Sequence, residues 1–359
     1  MKVVDLFSGC GGFSLGAHAA GIAPCLAFDN DPILTSSFSH NHPGTELVLS
    51  DISLLSGSTI QTKIGGHVDG VLGGPPCQGF SDIGQRRAAD PRRELLGHFF
   101  RIVKELRPSF FVMENVRGLG YKDSRHILDQ ALDLLPGFYH ILGPLILDAA
   151  DFGAATRRSR LFIIGYDPSR IDQLTVDDIN AAKCRPATVE AAIADLASAK
   201  HLGEHDGYDL WKIAKLGRPH QYAGSLRAPG GVFSGHRRTL HSPEVVERFR
   251  QVVPGETDPI GRHPRLKWDG QCPTLRAGTG SDRGSFQSVR PIHPDEPRVI
   301  TVREGARLQG FPDAFRFHQT VWHSFRMIGN SVSPIAAKQI LSLLARRATI
   351  LETSRTAAE

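Results

Sequence analysis

The chain has 359 residues, of which 40% are hydrophobic and 22% charged, with a net charge of +5. That length predicts about two domains, and the apolar content excludes a disordered polymer. No apolar run reaches the ~18 residues of a membrane span, the opening MKVVDLFSGC lacks the regions of a secretory leader, and five scattered cysteines form no CxxC pair; these features exclude a disulfide framework or zinc ribbon and lead us to expect a soluble cytoplasmic protein with no metal.

In chain order, Lys2 to Phe7 predicts a strand, followed by a Gly-rich turn and the helical spacing of FSLGAHAAG with its Gly stop. Strands are expected at Cys25–Asp29 and Val68–Leu72, a helix over Arg92–Leu106 ending before Pro108, and a buried strand at Phe110–Glu114. A helix over Ser124–Leu135, a strand-like His140–Leu147 and a buried strand at Leu161–Tyr166 follow. Short buried strands alternating with helices predict an α/β domain on a parallel sheet covered on both faces. After about residue 185 the texture changes, and 200–297 is rich in Gly, Pro, His and Arg, as in a loop-rich second domain. Regular pattern returns at Thr301–Gln309 and Ile335–Arg346, where the last helix is expected to pack back on the first domain.

The average charge hides an asymmetry. Residues 1–60 hold one Lys and five acids, whereas 211–290 hold 14 Lys/Arg and 6 Asp/Glu. The basic segment suits a polyanion or a solvated Arg-rich surface, and charge alone does not separate the two.

Asp5-Leu-Phe-Ser-Gly-Cys-Gly-Gly-Phe13 lies at a strand-to-helix turn, where glycines admit close backbone approach and helix amides are free. It is not GxGxxG, so a dinucleotide is not the first choice. Asp29, about 20 residues on at the end of the second strand, suits ribose hydroxyls, and Asp51 suits an adenine amine; together they suggest a nucleoside cofactor. In Gly73-Gly-Pro-Pro-Cys-Gln-Gly-Phe-Ser81, Cys77 follows a buried strand at the sheet's carboxyl edge, held by two prolines, which marks it as a nucleophile. Cys10, Cys25, Cys184 and Cys272 have no such context and read as packing residues. Glu114, ending another buried strand, should emerge at the same edge as a proton donor or shuttle. Arg158 and Arg160, on alternate positions of an extended chain, point to one face and suit a phosphate or base carbonyl. Gly329-Asn-Ser-Val332 precedes a helix and could close over a cofactor carboxylate or simply cap the helix.

This constellation resembles the cytosine-5 DNA methyltransferases of bacterial type. DLFSGCGG, Asp29, GGPPCQGFS, ENV, the RxR pair, RVITVREGARLQGFPD and FRMIGNSV occur in that family's order. The resemblance implies a Rossmann-like S-adenosylmethionine-dependent methyltransferase sheet with a smaller loop-rich target-recognition domain. The implied layout is a cofactor-binding catalytic domain at 1–184, target recognition at 185–320 with its variable centre at 185–297, and a return to the catalytic domain at 321–359.

The resemblance also implies roles. Cys77 would attack carbon 6 of a flipped cytosine, Glu114 would bond ring nitrogen 3 and the exocyclic amine, and Arg158 and Arg160 would hold the carbonyl and nearby backbone. Carbon 5 would take the methyl of S-adenosylmethionine, leaving S-adenosylhomocysteine. The cofactor would rest on Phe7, Ser8, Gly9, Gly11 and Gly12, with Asp29, Asn30, Asp51, Ile52 and Pro75 around its nucleoside and Asn330 and Val332 at its methionine end. The segment Phe80–Leu96, with Gly84, corresponds to the family's mobile loop, and Ser81, Gln85 and Arg86 would meet DNA there. Arg237, Arg238, Arg276 and Arg283 are candidate DNA contacts from the centre. The implied partner is double-stranded DNA, bound by a monomer, with a restriction endonuclease acting separately and no membrane.

Two positions depart from the family's pattern. Ala155-Thr156 stands where Pro-Gln is usual, and Asp29-Asn30 where Glu and an aromatic are commoner. Two other readings are a tRNA cytosine methyltransferase, which would carry Pro-Phe-Thr after the PPCQ motif and a short centre, and an inactive DNA-binding relative, against which Cys77, Glu114, Arg158 and Arg160 stand intact.

Overall fold

Val3–Leu6 (β1) is buried at all four positions, as a strand covered on both faces must be. In the computed structural model, which describes residues 1–76, 92–214, 217–277 and 289–356, it lies third from one edge of a seven-stranded sheet. The other strands are Pro24–Asp29 (β2), Glu46–Leu49 (β3), Gly70–Gly73 (β4), Phe110–Asn115 (β5), His140–Asp148 (β6) and Ser159–Tyr166 (β7). Their order is β3-β2-β1-β4-β5-β7-β6. From β3 to β5 every neighbouring pair is parallel. The fold is therefore the expected α/β class, with a largely parallel sheet. β3 has no counterpart among the predicted strands, because this half-exposed edge strand of four residues shows no buried run.

The expectation of a wholly parallel sheet needs one correction. β7 runs antiparallel to both β5 and β6. The physical reason is the connection: Ala149–Arg158 is too short for the helical crossover that parallel neighbours require.

Helix Arg92–Leu106 supplies much of the core on one face of the sheet. Leu96, Phe99, Phe100, Val103 and Leu106 recur at helical spacing and are all buried. Phe99, Phe100 and Tyr139 meet the Phe111 ring edge-on, with centroids 6.3, 5.8 and 5.5 Å away. Arg107, at φ +47°, ends the helix in the left-handed region before Pro108. Among the described residues, no helix is long and apolar enough to cross a membrane.

The chain divides into two compact units. Unit 1 comprises Met1–Asp148, Ser159–Lys183 and Ala336–Glu359; unit 2 comprises Ala149–Arg158 and Cys184–Ile335. Unit 2 holds an antiparallel sheet of Ala199–His205 (β8), Tyr208–Ile213 (β9) and Val232–Ser234 (β10), in the order β10-β9-β8. Isolated bridges such as Thr257–Pro264 and Ile292–Val299 organise its long loops. The helix Val302–Gln309 is buried along its whole length and starts with a capping box, Thr301 and Glu304 exchanging hydrogen bonds. It carries two fully buried arginines. Arg307 forks onto Asp313 at 2.6 and 2.7 Å and reaches Asp195 at 3.1 Å, while Arg303 donates to the carbonyls of Ser234, Pro312 and Phe315. Paired in this way, the charges tolerate burial.

Across the β5–β7 ladder Phe111 stands directly opposite Gly165, and a Cβ on Gly165 would lie 2.1 Å from the Phe111 ring. Gly165→Ala is therefore expected to destabilise unit 1 by about 1–3 kcal/mol through overpacking. Urea unfolding followed by circular dichroism checks this, and an unchanged midpoint would refute it.

Candidate active site

The register of the parallel strands brings distant motifs to one edge. Leu6 is level with Phe28 and Gly73, and Gly73 with Met113. The residues just beyond them, Phe7–Ser8, Asp29, Gly74–Pro75 and Glu114, therefore leave the sheet together at its carboxyl edge. Strand order reverses between β1 and β4, and such a switch point opens a ligand crevice.

The first turn is built from left-handed backbone: Phe7 at φ +59°, Gly9 at +51° and Gly11 at +91°, after which helix Gly12–Ala19 begins. Gly9 donates its amide to Asp29 Oδ2 and Asp31 to Oδ1, both at 2.8 Å. The turn and the acid are thus one structure. Burial raises the Asp29 pKa against the lowering effect of those amides. The Ser8 hydroxyl is buried and has no hydrogen-bond partner among the described residues. Asn30 is exposed and Ile52 buried. Asp51 is exposed and caps the turn Ile52–Leu54, its Oδ1 accepting from Ser53 at 2.8 Å, which lowers its pKa.

A residue absent from the predicted site supports this turn. Asp5 is 1% exposed, and its Oδ2 accepts from both the amide and the hydroxyl of Ser14 at 3.1 and 2.6 Å. The serine bonds tie the end of β1 to the helix after the turn. The spacing Asp5–Ser14 was visible in the sequence, but nothing there marked the acid as inward-facing.

At the end of β5, Glu114 is buried and its Oε1 lies 3.1 Å from Arg160 Nε. Arg160 comes from the start of β7, which reaches this edge because β7 is reversed. Asn115 Nδ2 donates to the Pro75 carbonyl at 3.2 Å, tying the ENV turn to the chain two residues before Cys77. Cys77, Ser81, Gly84, Gln85 and Arg86 lie outside the described residues, as do most of the loop Phe80–Leu96 and Arg283.

In unit 2, Arg158 is buried and its Nη1 approaches the Leu275 carbonyl at 3.4 Å. The unusual Ala155-Thr156 pair is buried and joined to Cys272 by backbone and side chain: the Cys272 amide donates to Ala155 O, the Arg157 amide to Cys272 O, and the Thr156 hydroxyl to Cys272 O. Gly329 ends this strip. A Cβ there would lie 2.2 Å from the Ala277 amide, so only glycine lets the backbone beside exposed Arg276 approach. Asn330 is exposed and Val332 buried; the motif precedes helix Pro334–Thr356 as expected, and its first two residues, Gly329 and Asn330, also close helix Val321–Asn330. Arg237 and Arg238 are both exposed.

The cysteine readings divide. Cys10 and Cys272 are buried, and burial pushes the Cys272 thiol up to about 12, far from nucleophilic. Cys25 is partly buried, its sulfur donating to Val3 O at 3.3 Å. Cys184 is exposed and so is not a packing residue; its backbone, whose amide donates to Asp151 O, is what the fold uses.

Burial pushes the Asp5 carboxyl up to about 7 from an ordinary 3.8, outweighing the serine bonds that lower it. The folded acid keeps its proton where the unfolded one has lost it, so stability falls as pH rises from about 4 to about 7 and then levels. Asp5→Asn keeps an acceptor for Ser14 without the charge. Its stability relative to the parent is expected to climb over that window by on the order of 2 kcal/mol or more. Urea midpoints at several pH values measure the difference; a pH-independent offset would contradict it.

Residues 1–346 match the sequence profile of the C-5 cytosine-specific DNA methylases. The chain is 38% identical to the type II methyltransferase M.XorII of Xanthomonas oryzae pv. oryzae, across 94% of this chain and 82% of that relative. It is 31% identical to M.DdeI of Desulfomicrobium norvegicum, across 95% and 87%. Among solved structures, a prophage-encoded E. coli protein assigned as a DNA modification methyltransferase superposes with a TM-score of 0.81 and 40% identity, over 97% of this chain and 99% of that one. The Dnmt2 methyltransferase of S. pombe shares the fold at a TM-score of 0.63 and 19% identity, over 96% and 98%.

Proposed function

The chain belongs to the C-5 cytosine-specific DNA methylases, and from that premise we propose how its residues divide the reaction. As a DNA (cytosine-5)-methyltransferase, it transfers a methyl group to carbon 5 of cytosine. We assign the nucleophile to Cys77, which adds to carbon 6 of a cytosine flipped out of duplex DNA. The sulfur–carbon bond makes carbon 5 electron-rich. After carbon 5 takes the methyl, its proton is lost to a base, the sulfur–carbon bond breaks, and the ring is restored with Cys77 released.

The observation that carries this reading is the Glu114–Arg160 pair at the carboxyl edge, Nε to Oε1 3.1 Å. A carboxyl group held there can meet ring nitrogen 3 and the exocyclic amine of the base, favouring attack at carbon 6. Arg160 orients it, Asn115 anchors the Pro75 carbonyl beside the nucleophile's turn, and Arg158 serves the cytosine carbonyl and nearby backbone.

The methyl donor is S-adenosylmethionine, which supplies an electrophilic methyl group when bound. The residues fit it. Asp29, with its two oxygens oriented by amides, offers its remaining acceptor capacity to ribose hydroxyls. The buried Ser8 hydroxyl lacks a protein partner among the described residues, and left-handed Phe7, Gly9 and Gly11 lead into Gly12, the first residue of the helix, forming a cradle at its N-terminus. Asn30, Asp51, Ile52 and Pro75 complete the nucleoside side; Asn330 and Val332 are assigned to the methionine end.

Double-stranded DNA is the proposed substrate, read by a monomer. Ser81, Gln85, Arg86, Arg237, Arg238, Arg276 and Arg283 are the proposed contacts, and the basic centre supplies phosphate attraction. The names of its relatives support a modification role in a type II restriction system in the bacterial cytoplasm, with the endonuclease a separate chain.

Cys77→Ala is expected to abolish tritium transfer from labelled S-adenosylmethionine to duplex DNA while retaining cofactor binding. Glu114→Gln should lower kcat by about 100-fold or more, with cofactor affinity within about twofold. Transfer to tRNA instead of DNA, or activity surviving in Cys77→Ala, would overturn the assignment. Bisulfite sequencing of the methylated DNA would then identify the target sequence.

A further inference from the structure

We infer that Asp209 is a positioning residue for target recognition, its carboxylate holding the turn that carries Arg237 and Arg238. This rests on the reading of those two arginines as DNA contacts. Asp209 lies on β9. Its Oδ1 accepts from the Gly235 amide at 2.8 Å, and its Oδ2 from the His236 and Arg237 amides at 2.9 and 2.8 Å. The Trp211 indole adds a fourth donor at 2.7 Å. Three consecutive amides converging on one anion form a nest, the backbone shape that elsewhere captures phosphate. Here a carboxylate of the chain itself fills it.

The turn is held from its other side too. Arg303, fully buried, donates its amide to Gly235 O at 2.8 Å and its Nε to Ser234 O at 3.0 Å. Gly235 sits at φ +82°, and a Cβ there would meet Val302 Cγ1 at 3.3 Å. The backbone from Ser234 to Arg237 is thus clamped through its carbonyls and its amides at once. The amides, being occupied, are closed to a nucleic acid phosphate, so the turn recognises DNA through side chains alone.

Those side chains point outward. Arg237 pairs with Glu204 and Arg238 with Glu296, the latter at 2.9 Å, and the guanidinium-bearing side chains are 66% and 50% exposed. Exposed pairs of this kind contribute little stability, so a phosphate or a guanine edge can replace the carboxylates without disturbing the fold. A rigid turn removes the cost of ordering the backbone at that moment. Loss of the Asp209 charge would leave the arginines present and their direction undefined.

Steady-state methylation of unmethylated plasmid DNA tests this with Asp209→Asn, Asp209→Glu, the double variant Arg237→Ala/Arg238→Ala, and the triple variant combining it with Asp209→Asn. Asp209→Asn should raise KM for DNA about tenfold, as loss of charge-assisted hydrogen bonds predicts. Its kcat at saturating DNA and its KM for S-adenosylmethionine should change less than about twofold. Asp209→Glu should recover part of the loss, and Asp209→Asn should add nothing to the double variant. If the double variant raises KM for DNA and Asp209→Asn does not, the positioning role is wrong and the DNA reading stands. If Asp209→Asn lowers the melting temperature and weakens the triple variant as much as the parent, its role is structural and the inference fails. If the double variant leaves KM for DNA unchanged, the reading beneath it fails first.

Discussion

β7 runs against its two neighbours, and the contact of Arg160 with Glu114 at the sheet edge depends on that reversal. Its ladder with β5 pairs six residues, from Phe110 with Tyr166 to Asn115 with Leu161. A parallel strand of eight residues would have delivered Arg160 to the opposite edge, about 25 Å away. Reversed, it begins where β5 ends, and Arg160 reaches Glu114. The register is locked by shape, since Phe111 fills the space a side chain on Gly165 would need. A slip of one residue would turn Arg160 to the other face and bury the wrong half of a strand that is almost wholly apolar.

Buried charge is met in more than one way along the chain. In unit 1 the Asp5 carboxyl is met by neutral donors from one serine, and burial moves its titration toward neutrality. In unit 2, Arg298 forks onto Glu304 at 2.8 and 2.9 Å, holding that carboxyl down at about 2 against the cost of its burial, and Arg307 forks onto Asp313, while Arg303 is met by backbone carbonyls. The helix Val302–Gln309 could not otherwise sit buried on every side, because half of its residues are polar or charged. Its sequence reads as a solvent-facing helix, yet it forms the interior of a loop-rich unit with few apolar runs of its own.

Much of unit 1 was legible in the sequence because its signals are local. Buried strands announce themselves as short apolar runs, and the turns after β1, β4 and β5 carry glycines, prolines and polar residues whose conformational needs are readable one residue at a time. What escaped depends on pairing between distant segments. The sense of β7 is set by the shortness of the link before it. Arg158 and Arg160 look like one alternating pair, yet one reaches the Leu275 carbonyl 117 residues on and the other a carboxylate at the end of β5. Thr156, which stands where Gln is usual, proves to be a bridging position beside Cys272. Asp209 follows Glu204 and Asp206, and no pattern in the sequence sets it apart from them; only the fold reveals three amides gathered around it.

The placement of Ala149–Arg158 has a consequence for how such proteins diverge and can be rebuilt. Unit 2 is two segments of chain, and the short one is stitched to the long one at Cys184 and Cys272 by main-chain bonds that any side chains can make. A transplant of 184–335 alone would strand those ten residues among foreign neighbours. Unit 2 is therefore a split cassette: its long segment has to be moved together with the 149–158 strip, or the host must keep the backbone geometry at both stitching points.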